Sequence, residues 1–238
     1  MNYKEVYDIS VPQKKRKEER WNVFTAYVLR PISILLTMPF IKTSLKPTTI
    51  TEISVLFCII GFIFAYFGND LQMYVVSWAF FFLWAIFDCI DGNLARCTNQ
   101  CSSLGDLWDT TGGYAAMVLM YFSAGIIAFK DTNLYDYTES YQYIILGGMT
   151  AIMSIFPRLV MHKKKSSEAA SGVVKQLSDK NTFGLSKILA MNLVSPTGGL
   201  LVIYLLSVIF HVTNIFIAVY AFVNFAIMMV SLKGLLKE

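Results

Sequence analysis

The chain has 238 residues, of which 55% are hydrophobic and only 15% are charged. A soluble domain carries about 25% charged residues, and the mean hydropathy of this chain is +0.54. So much apolar surface cannot be buried inside a compact body of this size. The composition therefore excludes a water-soluble globule, a disordered chain and a fibre, and it predicts an integral membrane protein.

Six apolar segments are long enough to cross a bilayer, which requires about 20 residues. They are residues 48–68, 71–90, 105–129, 141–161, 188–210 and 212–232. A further stretch, 21–45, is interrupted by charged residues and prolines, and we interpret it as an amphipathic helix in the membrane interface. The predicted fold is all-α, with a cytoplasmic N-terminus and interfacial helix at 1–47 and a six-span domain at 48–238.

The basic residues predict the orientation of the spans. Most Lys and Arg residues flank alternate span ends, whereas the opposite ends carry Lys130 and several acidic residues. Because cationic residues mark the cytoplasmic side, we expect both termini and the polar connection 166–182 to be cytoplasmic. This topology accounts for the net charge of +4, so we expect no nucleic-acid partner.

Four aspartates lie at the predicted cytoplasmic mouth of the second and third spans: Asp88, Asp91, Asp106 and Asp109. Residues three apart share a helix face, and a short turn joins the two helices, so both pairs should meet. Facing carboxylates repel unless a divalent cation lies between them, and oxygen ligands suit Mg²⁺, Mn²⁺ or Ca²⁺. Intramembrane acids are costly and mark functional sites. The alternative is a set of buried ion pairs that fix helix packing.

The neighbouring residues predict a phosphate site. Gly92 and Ala95 are small, so a ligand can approach the helix closely, and Arg96 can pair with a phosphate. The third helix should begin near Ser103, and its N-terminal amides favour an anion. In the fourth span, Arg158 lies too deep to reach water easily. We expect it to bind a substrate phosphate; the alternative is a pairing with an acidic side chain.

These residues carry a resemblance. The pattern Asp-x2-Asp-Gly-x2-Ala-Arg-x8-Gly-x3-Asp, from Asp88 to Asp109, resembles the signature of the CDP-alcohol phosphatidyltransferase family. Residues 46–51, Lys-Pro-Thr-Thr-Ile-Thr, resemble the stretch that opens the first span in that family. The resemblance covers nearly the whole chain. Locally, residues 102–109 are most similar to the choline and ethanolamine phosphotransferases, while the chain length is typical of compact bacterial members.

The resemblance implies a membrane enzyme that moves a substituted phosphate from a CDP-alcohol to a lipid or polar hydroxyl acceptor and releases CMP. It implies that Mg²⁺ or Mn²⁺ is held by Asp88, Asp91 and Asp109. It further implies that Gly92, Ala95 and Gly105 line the cytidine pocket. A homodimer in the bacterial cell membrane, with its active site facing the cytoplasm, is also expected.

One position departs from the family pattern, because the fourth aspartate, four residues after Asp109, is replaced by Gly113. Asp106 can substitute for it as metal ligand and base, which would make Asp106 and Asp109 the catalytic pair. Alternatively, Asp106 only caps its helix in a Ser103-x-x-Asp106 capping box, and a water or the substrate acts as base. The remaining alternative is a catalytically impaired member that binds nucleotide or lipid.

Overall fold

The structure, a computed structural model, describes residues 1–19, 21–132, 141–170 and 192–235. Within these ranges the regular structure is entirely helical, as predicted. The helices are α1 (Tyr3–Ser10), α2 (Gln13–Glu19), α3 (Arg30–Phe40), α4 (Pro47–Phe67), α5 (Leu71–Cys97), α6 (Ser103–Thr132), α7 (Gln142–Ala170), α8 (Gly199–Ile209) and α9 (Thr213–Leu235). A π-helical segment, Thr25–Leu29, leads into α3.

Five of the described helices are long and apolar enough to cross a membrane: Pro47–Phe67, Leu71–Cys97, Ser103–Asp131, Gln142–Lys163 and Thr213–Lys233. They correspond to five of the six predicted spans and indicate a multi-pass membrane protein. The second of these helices continues past the predicted end at residue 90, because apolar length predicts where a span ends and not where the helix ends.

The predicted span at 188–210 is not confirmed. Helix α8 has 11 residues, and at 1.5 Å per residue it is about 16 Å long, roughly half of the ~30 Å hydrocarbon core. A turn precedes it, closed by the Gly198 N–H donating to the Ser195 carbonyl at 2.9 Å. Pro196 in this turn interrupts the apolar run, which hydropathy alone does not register. Residues 188–191 lie outside the described ranges.

A second difference concerns the polar connection predicted at 166–182. Helix α7 continues through this segment as far as Ala170, because Lys, Glu and Ala are strong helix formers and no Gly or Pro stops the helix there. Residues 171–182 lie outside the described ranges. The segment 21–45 is helical from residue 23 to Phe40, and its interfacial position stays a prediction.

The helices contribute to two compact units. The first unit contains Met1–Gly61, Val76–Ala116 and Lys180–Ile203. In its described part, α1 packs on α3 through a small apolar core of Val6, Val11 and Ile34. The indole nitrogen of Trp78 on α5 donates to the carbonyl of Leu201 on α8 at 2.8 Å. This unit carries the motif aspartates Asp88, Asp91 and Asp109, together with Asp106.

The second unit contains Phe62–Val75, Met117–Asp179 and Tyr204–Glu238. Lys130 caps the C-terminal end of α4 by donating to the carbonyls of Tyr66 and Gly68, each at 2.5 Å. Lysine at this end of a helix satisfies carbonyls that have no partner within the helix. Helices α6 and α7 approach closely where Gly125 faces Gly147, since a Cβ on either residue would lie 3.0 Å from the other's Cα.

This contact predicts that alanine substitutions at two adjacent glycines have different effects on the stability of the protein. A Cβ on Gly147 would lie 2.8 Å from the Tyr121 carbonyl oxygen, whereas a Cβ on Gly148 meets no heavy atom within 4 Å. Gly147→Ala should therefore destabilise the protein by about 1–3 kcal/mol, the usual cost of overpacking. Gly148→Ala should leave stability unchanged or raise it slightly, because alanine favours helix. Thermal unfolding of the two purified variants in detergent measures the difference, and equal midpoints would contradict the contact.

Candidate active site

The three motif aspartates, Asp88, Asp91 and Asp109, lie with Asp106 on two consecutive helices. Asp88 and Asp91 occupy the last turns of α5, and Asp106 and Asp109 the first turns of α6, which begins at Ser103 as expected. The connecting turn starts with a Schellman-type bond, in which the Gln100 N–H donates to the Ala95 carbonyl at 2.8 Å. The intervening Asn99 has φ 54°, a left-handed conformation that Asn tolerates. This turn returns the chain so that each pair contributes at least one aspartate to each of two cavities.

Asp91 is the most deeply buried of the four carboxylates, with 4% of its surface exposed. Its Oδ2 accepts a hydrogen bond of 2.6 Å from the hydroxyl of Thr51 on α4. A buried carboxylate needs such a partner, because removal from water is costly. Thr51 is thus a site residue that the motif did not reveal. In the sequence, the feature that points to Thr51 is its position at the end of the Lys-Pro-Thr-Thr-Ile-Thr stretch.

Asp88 and Asp109 are close enough for their side chains to share a hydrogen bond. Asp91 and Asp106 both interact electrostatically with Asp109. Two carboxyl groups can share a hydrogen bond only when one carries a proton, and a cation can take the place of that proton. The expected proximity of Asp88, Asp91 and Asp109 is therefore present.

The described part of the chain contains no group of three or more acidic, His or Cys side chains that holds a metal ion by itself. This arrangement still fits Mg²⁺, which usually keeps several waters and binds one or two carboxylates together with substrate phosphates. The paired carboxyl groups of Asp88 and Asp109 supply the oxygen ligands that Mg²⁺ or Mn²⁺ prefers. We infer that these oxygen atoms can bind a divalent metal ion whose remaining ligands come from the substrate.

The N-terminal end of α6 differs from the capping box predicted for Ser103 and Asp106. The cap is Ser102, whose hydroxyl accepts a hydrogen bond of 3.0 Å from the Gly105 N–H. Asp106 is exposed and lies on a cavity wall. The capping prediction for Ser103 is therefore wrong, and the Asp106 carboxylate is available to a ligand.

The first cavity, here called the motif cavity, has a volume of about 310 Å³. Its walls include Asp106 and the following motif positions: Asp91, Gly92, Ala95, Arg96, Gly105 and Asp109. Lys46, Thr48 and Thr51 complete the same walls from the start of α4. A Cβ on Gly92 would lie 3.1 Å from Arg96 Nη2, so this glycine lets the guanidinium fold back over its own helix.

A second cavity of about 350 Å³ shares Asp91, Gly92, Arg96 and Asp109 with the motif cavity. We call it the N-terminal cavity, because the early chain supplies Lys15, Glu19, Asn22, Thr25 and Arg30 to its walls. Asp88, Cys89, Ser195 and Thr197 complete it. Sequence reasoning did not identify the N-terminal residues, since nothing local in 13–30 indicates that they approach residues 88–109.

A polar network fixes the N-terminal segment against α5. Glu19 forms an ion pair with the buried Arg30, and Arg30 Nη1 donates to Asn93 Oδ1 at 2.9 Å. The same Asn93 oxygen accepts from Arg96 Nη2 at 3.3 Å. Burial, together with the positive charges of Arg30 and Arg96, lowers the pKa of Lys15.

Two further predicted positions are not among the residues that line these two cavities. Gly113 is on α6, and a Cβ added there would meet no heavy atom within 4 Å, so a larger side chain has room. Arg158 lies on α7 in the second unit, where its charge interacts with Tyr121. Its predicted role in binding a substrate phosphate stays a prediction.

The motif geometry agrees with the comparison to known families. The sequence profile of the CDP-alcohol phosphatidyltransferase family matches residues 44–230. Since this match covers most of the chain, the protein belongs to the CDP-alcohol phosphatidyltransferase family, whose members are transferases acting in membranes. A search of curated proteins gives no match. The narrower likeness to choline and ethanolamine phosphotransferases stays a prediction.

The hydrogen bond between Thr51 and Asp91 predicts the effect of two substitutions. Thr51→Val removes the hydroxyl and leaves a buried carboxylate oxygen without this donor, which should cost about 1–3 kcal/mol of stability. Thr51→Ser keeps the donor and should retain most of that stability. Chemical denaturation of both purified variants measures the free energy of unfolding. A Thr51→Val protein as stable as Thr51→Ser would show that the bond contributes nothing.

Proposed function

We propose that the protein transfers a substituted phosphate group from a CDP-alcohol to a hydroxyl acceptor and releases CMP, in phospholipid or phospho-glycan biosynthesis. The observation that carries this proposal is the convergence of the family motif, apart from Asp88, on the wall of one cavity. Two cavities that share Asp91 and Asp109 support a reaction between two substrates. We propose that the donor binds in the motif cavity, where Gly92, Ala95 and Gly105 leave room for cytidine and Arg96 faces its phosphates.

The proposed reaction exchanges one phosphorus–oxygen bond for another. The acceptor hydroxyl oxygen attacks the phosphorus that carries the alcohol, and the bond from that phosphorus to the CMP oxygen breaks. The electron pair leaves with CMP, and the hydroxyl proton passes to a carboxylate. Asp109 is the proposed acceptor of this proton, because it lies on the wall common to both cavities. The protein otherwise acts by positioning the reactants, as is usual in phosphoryl transfer.

We propose that Asp88, Asp91 and Asp109 hold Mg²⁺ or Mn²⁺, with Asp106 as a further oxygen ligand. When bound, the divalent cation would neutralise the charge of the diphosphate. Asp106 lies on the motif cavity, one helical turn before Asp109, and it interacts electrostatically with that residue. This position supports Asp106 as the carboxylate that compensates for Gly113.

We further propose six spans, the fifth of which includes α8. The positive-inside rule supports a cytoplasmic location of both termini and of the active site. The division into an N-terminal segment, 1–47, and a six-span domain, 48–238, is part of this proposal. Placement in a bacterial cell membrane and assembly into a homodimer rest on the family resemblance alone.

The decisive experiment measures CMP release by the purified protein from a panel of CDP-alcohols with Mg²⁺ in excess. Asp91→Asn should abolish release, because an amide keeps the shape of the carboxylate but loses its charge. Asp70→Asn is the matched control, since Asp70 caps the start of α5 through a 2.8 Å bond from the Met73 N–H. Full activity of a folded Asp91→Asn protein would disprove the assignment. Binding of CDP-alcohols without turnover in the wild type would favour the non-catalytic alternative.

The role of Asp106 can be separated from that of a helix cap. Asp106→Ala should raise the Mg²⁺ concentration required for half-maximal rate by about 10–100-fold, as expected when support for a metal site is lost. Gly113→Asp in the same chain should offset this loss, because a side chain at position 113 has free space. The Mg²⁺ dependence of CMP release is measured for both proteins. An unchanged Mg²⁺ requirement in Asp106→Ala would reject the compensation.

A further inference from the structure

Another cavity, of about 400 Å³, lies where α5 begins and α6 ends. The motif aspartates lie at the other ends of these two helices, so they do not line it. All residues of its walls belong to the second compact unit. Leu71 and Asp131 on these walls are the first and last residues of two membrane-spanning helices. The cavity, here called the Asp131 cavity, therefore lies where a span meets the headgroup region of the bilayer.

Asp131 is a buried carboxylate of which only one oxygen is satisfied. The residue is 6% exposed, and its Oδ1 lies 2.9 Å from His211 Nδ1. Its Oδ2 is buried and, among the described residues, has no hydrogen-bond partner. Burying a carboxylate oxygen without a donor is costly, and each such exception requires an explanation. A ligand that carries a hydrogen-bond donor would satisfy this oxygen.

The neighbouring Lys130 does not supply the missing donor. Its ammonium group donates to the carbonyls of Ala65, Tyr66 and Gly68. A lysine ammonium has three N–H donors, so all three are used at the C-terminal end of α4. The Oδ2 atom of Asp131 therefore stays available although a cation is adjacent in the sequence.

The charges on the walls of the Asp131 cavity do not cancel. The charged and imidazole side chains are those of Asp70, Lys130, Asp131 and His211. With a neutral imidazole, two carboxylates face one ammonium, which leaves an excess of one negative charge. Asp70 uses Oδ1 to cap α5 through a 2.8 Å bond from the Met73 N–H, and its second oxygen is available. An enclosed excess of negative charge attracts a cation.

The acceptors and the size of the cavity indicate which kind of cation fits. An ionised carboxylate only accepts, so His211 Nδ1 is the donor to Asp131 and the neutral ring presents Nε2 as an acceptor. The described residues contain no group of three acidic, His or Cys side chains that could hold a metal ion. A volume of about 400 Å³ is that of a small-molecule site. Tyr74 and Phe129 add aromatic walls, which favour an organic cation.

We propose that the Asp131 cavity binds a primary ammonium group, with Asp131 Oδ2 as its direct partner. The group is carried by a small free amine or by the headgroup of an aminophospholipid, since both present the same chemistry. A primary ammonium supplies N–H donors to the unsatisfied oxygen, whereas a quaternary ammonium supplies charge alone. This site uses none of the residues assigned to phosphate transfer, so it does not depend on the proposed function.

The test has one arm for each source of the ammonium group. Calorimetry on the purified full-length protein, in mildly alkaline buffer, measures binding of ethanolamine, choline and ethylene glycol. Ethanolamine should bind, choline should bind more weakly because it has no N–H donor, and ethylene glycol should not bind because it has no charge. In the second arm, nanodiscs contain equal amounts of phosphatidylethanolamine and phosphatidylcholine. Native mass spectrometry then measures which lipid stays on the released protein.

The variants isolate the role of the carboxylates. Asp131→Asn keeps the shape of the side chain and removes its charge, so it should weaken ammonium binding by about 10–100-fold, the loss of a charge-assisted hydrogen bond. Asp70→Asn keeps the helix cap, because Asn also caps, and should weaken binding by a smaller factor. Glu5→Gln is the matched control and should change nothing. It removes one carboxylate from α1 but preserves the capping box there.

Each outcome supports or overturns the inference. A preference for ethanolamine identifies a free amine, and selective retention of phosphatidylethanolamine identifies a lipid. Equal behaviour of the primary and quaternary ammonium groups in both arms overturns the inference, as does binding that Asp131→Asn leaves unchanged. Thermal unfolding shows whether each variant is folded. If Asp131→Asn does not fold, Asp70→Asn decides, and unchanged binding by that variant overturns the inference.

Discussion

The burial of carboxylates at the ends of two apolar helices is the constraint on which the rest of the site depends. Asp91 is 4% exposed, and a carboxylate so far from water is tolerated only with hydrogen bonds or opposite charge. Thr51 supplies one hydrogen bond, and the positive charges of Lys15 and Arg96 act on these carboxylates, but the four acids outnumber these two bases. The proposed divalent cation therefore meets a structural need as well as a chemical one.

The same constraint explains why α5 remains helical through its polar end. Asp88 and Asp91 share a face only while the helix continues, and the helix does continue to Cys97. Gly92 weakens a helix by about 1 kcal/mol relative to alanine. In return, it lets the Arg96 guanidinium lie against the helix surface. The glycine therefore lowers the stability of the helix but allows the positive charge of Arg96 to act on Asp91.

Local sequence patterns predicted most of the helices and the motif cavity. Five spans follow from apolar length, and the fixed spacing of the motif places its acids because both segments are helical. The missed residues are those whose partners lie far along the chain. Thr51 and Asp91 are separated by 40 positions, and Arg30 and Asn93 by 63. No local periodicity encodes such pairs, and the segments that hold them must first be packed.

The true cap of α6 was missed for a different reason, because the deciding feature there is a single hydrogen bond. At Ser102 two consecutive serines compete for the cap, and only the first accepts a hydrogen bond from the Gly105 N–H. A sequence motif cannot rank such neighbours, because the difference depends on where the preceding turn leaves the backbone.

The acids are distributed unequally between the two cavities, and this distribution suits each acid to a different role in the proposed reaction. Asp106 lines only the motif cavity, Asp88 only the N-terminal cavity, and Asp109 both. A base must reach the acceptor hydroxyl, so a carboxylate confined to the donor side is poorly placed to remove its proton. In the proposed reaction, Asp106 is accordingly better placed to act on the charge of the donor, and Asp109 to accept the proton of the acceptor hydroxyl. Under the proposed function, the glycine at position 113 lacks one oxygen ligand, while Asp109 remains on the wall where the two substrates would meet.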